Sequence, residues 1–145
     1  MPTYTVWSEA DTISIKSRAS IASVLTEAHH AITGAPRYFA QVLFPEVEKG
    51  SVFVGGRALT EGHIWVRADI RSGRTADQKR TLIDRVMEEI GNATGVAQAH
   101  IWVYINEISG ENMSEWGQVL PQPGGEDRWH EALPEEIKDT LRDLT

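Results

Sequence analysis

The chain has 145 residues, a formal net charge of −7, 41 % hydrophobic and 24 % charged residues, and no cysteine. That length allows one sizeable core, and the composition is that of a folded globular protein. The acidic balance argues against a nucleic-acid surface or a polybasic membrane contact, and the missing cysteines exclude thiol catalysis, disulfides and cysteine-ligated metals.

Met1 to Arg18 has no basic region followed by an apolar block, and no stretch approaches the ~20 apolar residues of a membrane span, so the expected location is cytoplasmic. Initiator methionine is normally removed before a small residue, which makes Pro2 the expected mature amino terminus. A free N-terminal proline is a secondary amine, and α-amino groups titrate near ~7.7–8.0, so Pro2 can act as an acid or a base near neutral pH. The plain alternative is a stiff terminal residue.

Pro2 to Ser8, rich in Tyr, Thr, Val and Trp, predicts a strand. Ser14 then caps a helix to about Thr33 with Ile21, Leu25 and Ala28 or His29 on one face, and Gly34-Ala35-Pro36 ends it. Arg37 to Val47 predicts a second strand, and Val52-Phe53-Val54 before Gly55-Gly56 a hairpin arm. His63 to Ile70 predicts the next strand, Thr75 opens a second helix to about Ala93 with the spacing of a capping box to Gln78, and Val96 to Ile108 holds a fourth strand. A constant offset of 61 residues places Gly34 on Gly95, Ile21 on Leu82, Leu25 on Val86, Glu46 on Glu107 and Ser14 on Thr75. The pattern is that of a duplicated β-α-β unit, and it predicts an α+β fold with one four-stranded sheet backed by two helices. The expected organisation is a single domain over 1–145, with repeat units of about 2–60 and 61–120 and a tail at 121–145. In the tail, Pro134 fits the first position of a final helix that covers the sheet or grips a neighbouring subunit. A two-layer domain leaves one sheet face uncovered, so self-association is expected.

Chemistry-bearing candidates are few. Arg71 and Arg74 flank a strand-to-helix turn, where ligands of α/β sheets usually sit. They read either as a carboxylate site, which suits arginine's planar fork, or as two solvated arginines, one of them paired with Asp69 or Asp77. His29 lies near a helix C-terminus, where the dipole favours an imidazolium, or is a satisfied buried histidine. Tyr104 stands where the first unit has Leu43; it is either a tyrosine in a core position, whose hydroxyl needs a partner when buried, or strand filler. Glu115, between Met113 and Trp116, is either a base of raised pKa or an exposed loop charge. His29-His30 makes no metal site, because adjacent helical residues diverge. No phosphate-cradling loop, dinucleotide fingerprint or Ser-His-Asp order is present.

The residues also carry a resemblance. Pro2 on a strand, the fused β-α-β pair, EAHH at 27–30, RSGRTADQK at 71–79, HIWVYINEI at 100–108 and MSEWGQVLPQPG at 113–124 resemble the tautomerase superfamily. Within it they are similar to the cis-3-chloroacrylic acid dehalogenase group, and EAHH, IRSGRT and WVYI look closest to its less specific homologues. The resemblance implies a homotrimer with neither metal nor organic cofactor. It implies Pro2 as general acid, Arg71, Arg74 and His29 as carboxylate ligands, and Tyr104 and Glu115 as the pair that activates water. The implied activity is hydration or hydrolytic dehalogenation of 3-chloroacrylate and acetylenecarboxylate to malonate semialdehyde. The alternatives are a keto–enol tautomerase with Pro2 as base and a non-catalytic trimeric binding module. Substrate-lining residues near Arg37-Tyr38 and Val119 to Gly125 are where specificity is expected to vary.

Overall fold

The structure, a computed structural model, describes residues 2–59 and 62–144. Met1, the expected junction of the repeats at residues 60 and 61, and Thr145 lie outside the described residues. The chain runs through β1 (Thr3–Glu9), α1 (Ile15–Thr33), β2 (Gln41–Leu43), β3 (Glu46–Val47), the hairpin β4 (Phe53–Val54) and β5 (Arg57–Ala58), and β6 (Ile64–Arg71). It continues through α2 (Ala76–Thr94), β7 (Ile101–Ile108), the hairpin β8 (Ser114–Glu115) and β9 (Gln118–Val119), and the helices α3 (Glu126–Glu131) and α4 (Glu135–Asp143).

Local signals account for the two long helices. Ser14 Oγ accepts from the Ser17 amide at 3.1 Å, satisfying one of the amides that the first turn leaves open. Thr75 does the same for Gln78 at 3.1 Å, and the Gln78 side chain returns a bond to the Thr75 amide at 3.0 Å, completing the capping box. The offset of 61 recurs in contacts as well as in sequence. Thr33 and Thr94 hydroxyls donate to the carbonyls of His29 and Ile90 at 2.7 and 2.6 Å. Arg18 pairs with Glu46, and Lys79 with Glu107, each at 2.6 Å. Both repeats thus tie their helix to their second strand in one way.

The sheet order is β2-β1-β6-β7, with β3 also beside β1. Pairs β1–β2 and β6–β7 are parallel, and β1–β6 is antiparallel, so the sheet is mixed. The expected strand over 37–47 is in fact a 3-10 turn at Arg37–Phe39 followed by two short strands. The break falls at Phe44-Pro45, since proline cannot donate to a ladder. Pro134 caps the last helix instead of occupying its first turn.

Alternation along β1 and β6 turns Tyr4, Val6, Ile64, Val66, Ala68 and Ile70 towards the helices, where they form the main core with Ile21, Leu25, Leu82, Val86 and Ile90. The opposite face carries Trp7, Trp65, Trp102 and Tyr104, with Trp7 stacked on Trp65. Among the described residues no helix covers that face. The C-terminal segment neither covers it nor lies free. Leu120, Trp129, Leu133 and Leu141 instead form a second apolar cluster with Ala35 and Phe39, beside the end of the sheet. Trp129 Nε1 anchors it by donating to the Val119 carbonyl at 3.0 Å.

Thr75→Ala removes the side-chain arm of the capping box, leaving the backbone N–H of residue 75 to the Gln78 side chain, and is expected to cost about 1 kcal/mol. Urea unfolding at fixed protein concentration should show a lower midpoint with an unchanged slope, and an unmoved midpoint would mean that packing alone holds the start of α2.

Candidate active site

The register brings several termini to one end of the sheet. Thr3 lies opposite Asp69 and Gln41, and Asp69 lies opposite Asn106. The start of β1 therefore meets the start of β2 and the ends of β6 and β7. Pro2, buried, sits one residue before β1 on the helix-facing parity, and its carbonyl accepts from the Gln41 amide at 3.0 Å.

Two residues into β1, Tyr4 is wholly buried and its hydroxyl lies 2.9 Å from Nδ1 of His29. His29 is 3 % exposed and sits in the last two turns of α1. The helix dipole alone favours an imidazolium here. Burial, together with the nearby Arg74 charge, outweighs it and pushes the histidine down to about 3, so the ring is neutral at physiological pH. A neutral imidazole still offers one N–H, so a ligand role does not require the charge.

The two arginines, alike in sequence, differ in setting. Arg71, the last residue of β6, is 1 % exposed; its Nη1 donates to the Pro121 carbonyl at 2.7 Å and its Nη2 pairs with Glu126. It is thus neither solvated nor paired with Asp69 or Asp77, since the carboxylate at its fork comes from the tail. Gly110 permits this crossing, for a Cβ there would meet the Pro121 carbonyl at 2.8 Å. Burial works to raise the Glu126 carboxyl, but the bond and charge of Arg71, with backbone amides, outweigh it and hold the group below the ordinary carboxylate value. Arg74 is half-buried, its Nη1 makes a long 3.4 Å contact to the Thr33 carbonyl, and its buried Nε has no partner among the described residues. Burial and the adjacent Arg71 lower its pKa, with Glu126 opposing. Arg71 Nε is likewise buried without a partner among the described residues, so each guanidinium keeps a donor, and Arg74, whose terminal nitrogens make only the long Thr33 contact, keeps more of them.

Glu115 belongs to β8, across a cleft of about 650 Å³ that Thr3, Tyr38, Phe39 and Gln41 also line. It precedes Trp116, whose φ of 53° is costly for a bulky residue; with Gly117 at 81° it makes the tight turn between β8 and β9. Strain of this kind is tolerated where the surroundings over-determine a position, here the second apolar cluster against Trp116. Near the same cleft, Arg37 is held by a two-pronged pair with Glu27 at 2.7 and 3.0 Å, which leaves Tyr38 to line it.

Tyr104 is placed differently. It and its repeat partner Leu43 are 53 % and 45 % exposed, so neither is a core residue, and the expected buried hydroxyl is corrected. The ring leans edge-on against Trp65 on the open face of the sheet, with the sheet between it and Tyr4. One chain thus gathers Pro2, His29, Arg71 and Arg74 at one sheet end, with Glu115 across the adjoining cleft, and leaves Tyr104 outside. Sequence reasoning missed Tyr4 and Glu126. Strand alternation from Pro2 places Tyr4 on the helix face, whereas nothing in the local pattern around Glu126 points to Arg71.

Two fused β-α-β units with an N-terminal proline at the end of a mixed sheet define a tautomerase-type α+β fold. Residues 1–132 match the family model described as "Putative oxalocrotonate tautomerase enzyme". The chain is similar to the crystal structure of N1, a member of the cis-3-chloroacrylic acid dehalogenase family, with 44 % identity, a TM-score of 0.94 and coverage of 98 % of this chain and 99 % of that one. It is also similar to a fused 4-OT solved as an asymmetric trimer, with 25 % identity, a TM-score of 0.74 and coverage of 81 % and 94 %. FG41 malonate semialdehyde decarboxylase inhibited by 3-bromopropiolate shares the fold at 16 % identity, a TM-score of 0.70 and coverage of 91 % and 99 %. Comparison with curated proteins gives no significant match. The chain belongs to the tautomerase superfamily, in its cis-3-chloroacrylic acid dehalogenase group.

Glu126→Ala leaves the buried Arg71 guanidinium without its carboxylate and is expected to cost about 3 kcal/mol at neutral pH. Because the folded pKa of Glu126 is depressed, its contribution is full above the ordinary value of 4.5 and is lost as the pH falls through the lowered one. Urea midpoints of wild type and variant should therefore differ at pH 7 and converge in acid; equal midpoints at pH 7 would show that the pair adds nothing.

Proposed function

We propose that this chain is a cofactor-independent hydratase and hydrolytic dehalogenase of short α,β-unsaturated carboxylates such as 3-chloroacrylate and acetylenecarboxylate, with malonate semialdehyde as product. The observation that carries the reading is the meeting, at one end of the sheet, of Pro2 with the half-buried Arg74, whose Nε has no partner among the described residues, and a neutral buried histidine. Such a pocket suits a small anion held beside the terminal amine.

In this reading the substrate carboxylate takes hydrogen bonds from Arg74 and from the N–H of His29. Arg71 stands behind them; with its terminal nitrogens engaged by Pro121 and Glu126, its part is to draw charge from the carboxylate and to hold the site together. Withdrawal of charge makes the β-carbon electrophilic. Glu115, from across the cleft, removes a proton from water as its oxygen bonds to that carbon, and Pro2 in its ammonium form delivers a proton to the α-carbon. A β-halogen adduct then expels halide and a proton to give the aldehyde. Pro2 can carry a proton only once Met1 has been removed, because an acylated proline is a tertiary amide.

Tyr104 fits the scheme as a contribution from a neighbouring copy. Its face of the sheet is open and aromatic, and the Trp65 Nε1 buried there has no partner among the described residues. The trimeric fused 4-OT relative supports assembly of this kind. A second reading, a keto–enol tautomerase for phenylenolpyruvate-type substrates, is favoured by the arginines beside Pro2, which lower an amine's pKa and so favour a neutral base.

Proton NMR of products with both 3-chloroacrylate isomers, acetylenecarboxylate and phenylenolpyruvate separates the readings, after intact mass has checked that Met1 is absent. Hydration is expected, with Pro2→Ala and Glu115→Gln each lowering kcat by about 100-fold or more. Rapid ketonisation that survives Glu115→Gln would replace the hydratase with the tautomerase. Substrates that raise the thermal midpoint without any turnover would leave a binding module.

A further inference from the structure

We propose that Tyr4 is the positioning residue of the carboxylate subsite, its hydroxyl fixing His29 in the tautomer that presents an N–H to the substrate. The inference rests on the reading above for the identity of the substrate, but the tautomer itself is independent of turnover.

The argument begins with burial. Tyr4 is 0 % exposed, and Nδ1 of His29 lies 2.9 Å from its hydroxyl. The rings meet edge-on, with centroids 5.9 Å apart and planes at 78°, which restrains rotation of the imidazole. Burial raises the Tyr4 pKa and lowers that of His29, so both groups are neutral and the shared bond contains one proton.

Two arrangements satisfy the distance. In one, Nδ1–H donates to the phenol oxygen, and the phenol O–H must then find a second acceptor. Among the described residues His29 Nδ1 is the hydrogen-bond partner of the Tyr4 hydroxyl, and no other is present. A buried O–H left without an acceptor costs on the order of 1–3 kcal/mol. In the other arrangement Tyr4 O–H donates to Nδ1 and is satisfied, and the ring proton resides on Nε2, which is not among the fully buried atoms left without a partner and so can be met by water or a ligand. The accounting selects the second.

The consequence lies on the far side of the ring. Nε2–H has no partner among the described residues, and the ring is close enough to feel the charge of Arg74. A carboxylate beside Arg74 then receives one charge-assisted bond and one neutral N–H bond. In the opposite tautomer Nε2 would present a lone pair to the anion, which is repulsive. Tyr4 touches no substrate and acts only through His29.

Long-range proton–nitrogen NMR on the intact, ¹⁵N-histidine-labelled protein reads the tautomer directly. The expected result is Nε2–H for His29, with a shift of that signal when acrylate is added. A wild-type Nδ1–H or charged pattern overturns the inference. Tyr4→Phe keeps the ring volume and deletes the O–H. It should redistribute the His29 proton and raise KM for acetylenecarboxylate by about tenfold, while kcat changes by less than about twofold. An unchanged KM with an unchanged tautomer also overturns it. If the unsaturated acids are not turned over but His29 is Nε2–H and responds to acrylate, the reaction is wrong and this inference stands. If they are turned over and His29 carries its proton on Nδ1, this inference alone fails.

Discussion

A guanidinium that is 1 % exposed has to be compensated, and much of this molecule follows from how Arg71 is compensated. Moving such a charge out of water is costly unless it is compensated, and Glu126 and the Pro121 carbonyl engage its two terminal nitrogens, while Nε has no partner among the described residues. Both partners come from the tail, so the pair ties residues 121–144 to the end of β6, beside the start of β1. With the tail in place, Leu120, Trp129 and Leu141 close an apolar cluster around Phe39, and the hairpin carrying Glu115 is held beside Thr3 and Gln41. The same pairing separates two arginines three residues apart: the terminal nitrogens of Arg71 are engaged by the tail, and those of Arg74 make only a long contact to the Thr33 carbonyl.

The duplication explains the frame and its failure explains the site. Helix caps, terminal glycines, the hydroxyl bonds of Thr33 and Thr94, and one ion pair per unit repeat at the offset of 61. At the functional positions the units diverge. The counterparts of Arg71 and Arg74 are Ala10 and Ile13, that of His29 is Ile90, and that of Pro2 is His63. His63 lies edge-on to Trp102, and burial together with the nearby His100 lowers its pKa. The polar cluster is therefore shared between the units, Pro2 and His29 coming from the first and Arg71 and Arg74 from the second, and it belongs to one sheet end.

Packing also reassigns charge. A histidine near a helix C-terminus gains from the dipole, but that gain is a fraction of a kcal/mol to about 2 kcal/mol and fades within a turn. Burial beside an arginine acts in the opposite direction and is larger here, which makes His29 a neutral donor instead of a cation. Such a donor binds an anion without giving up its proton. In the proposed reaction, proton transfer then falls to Pro2 and to Glu115.

The sequence by itself determined the repeat, both long helices with their caps, the parity of the core residues, and the identities of Pro2, His29, Arg71, Arg74 and Glu115 as polar groups worth attention. These are local signals: periodicity, capping spacings, and residue types rare in their surroundings. The interruption of the second strand was also legible in Pro45, though easily read through. Only the tertiary structure decided that Arg71 is held by Glu126, that Tyr4 meets His29, that Leu43 and Tyr104 lie on an open face, and that the tail packs beside the sheet instead of across it. Each of these depends on contacts between segments 25 to 55 residues apart or on which face a chain segment covers. Neither is encoded in spacing along the chain, because burial and charge compensation arise only when distant segments exclude water together.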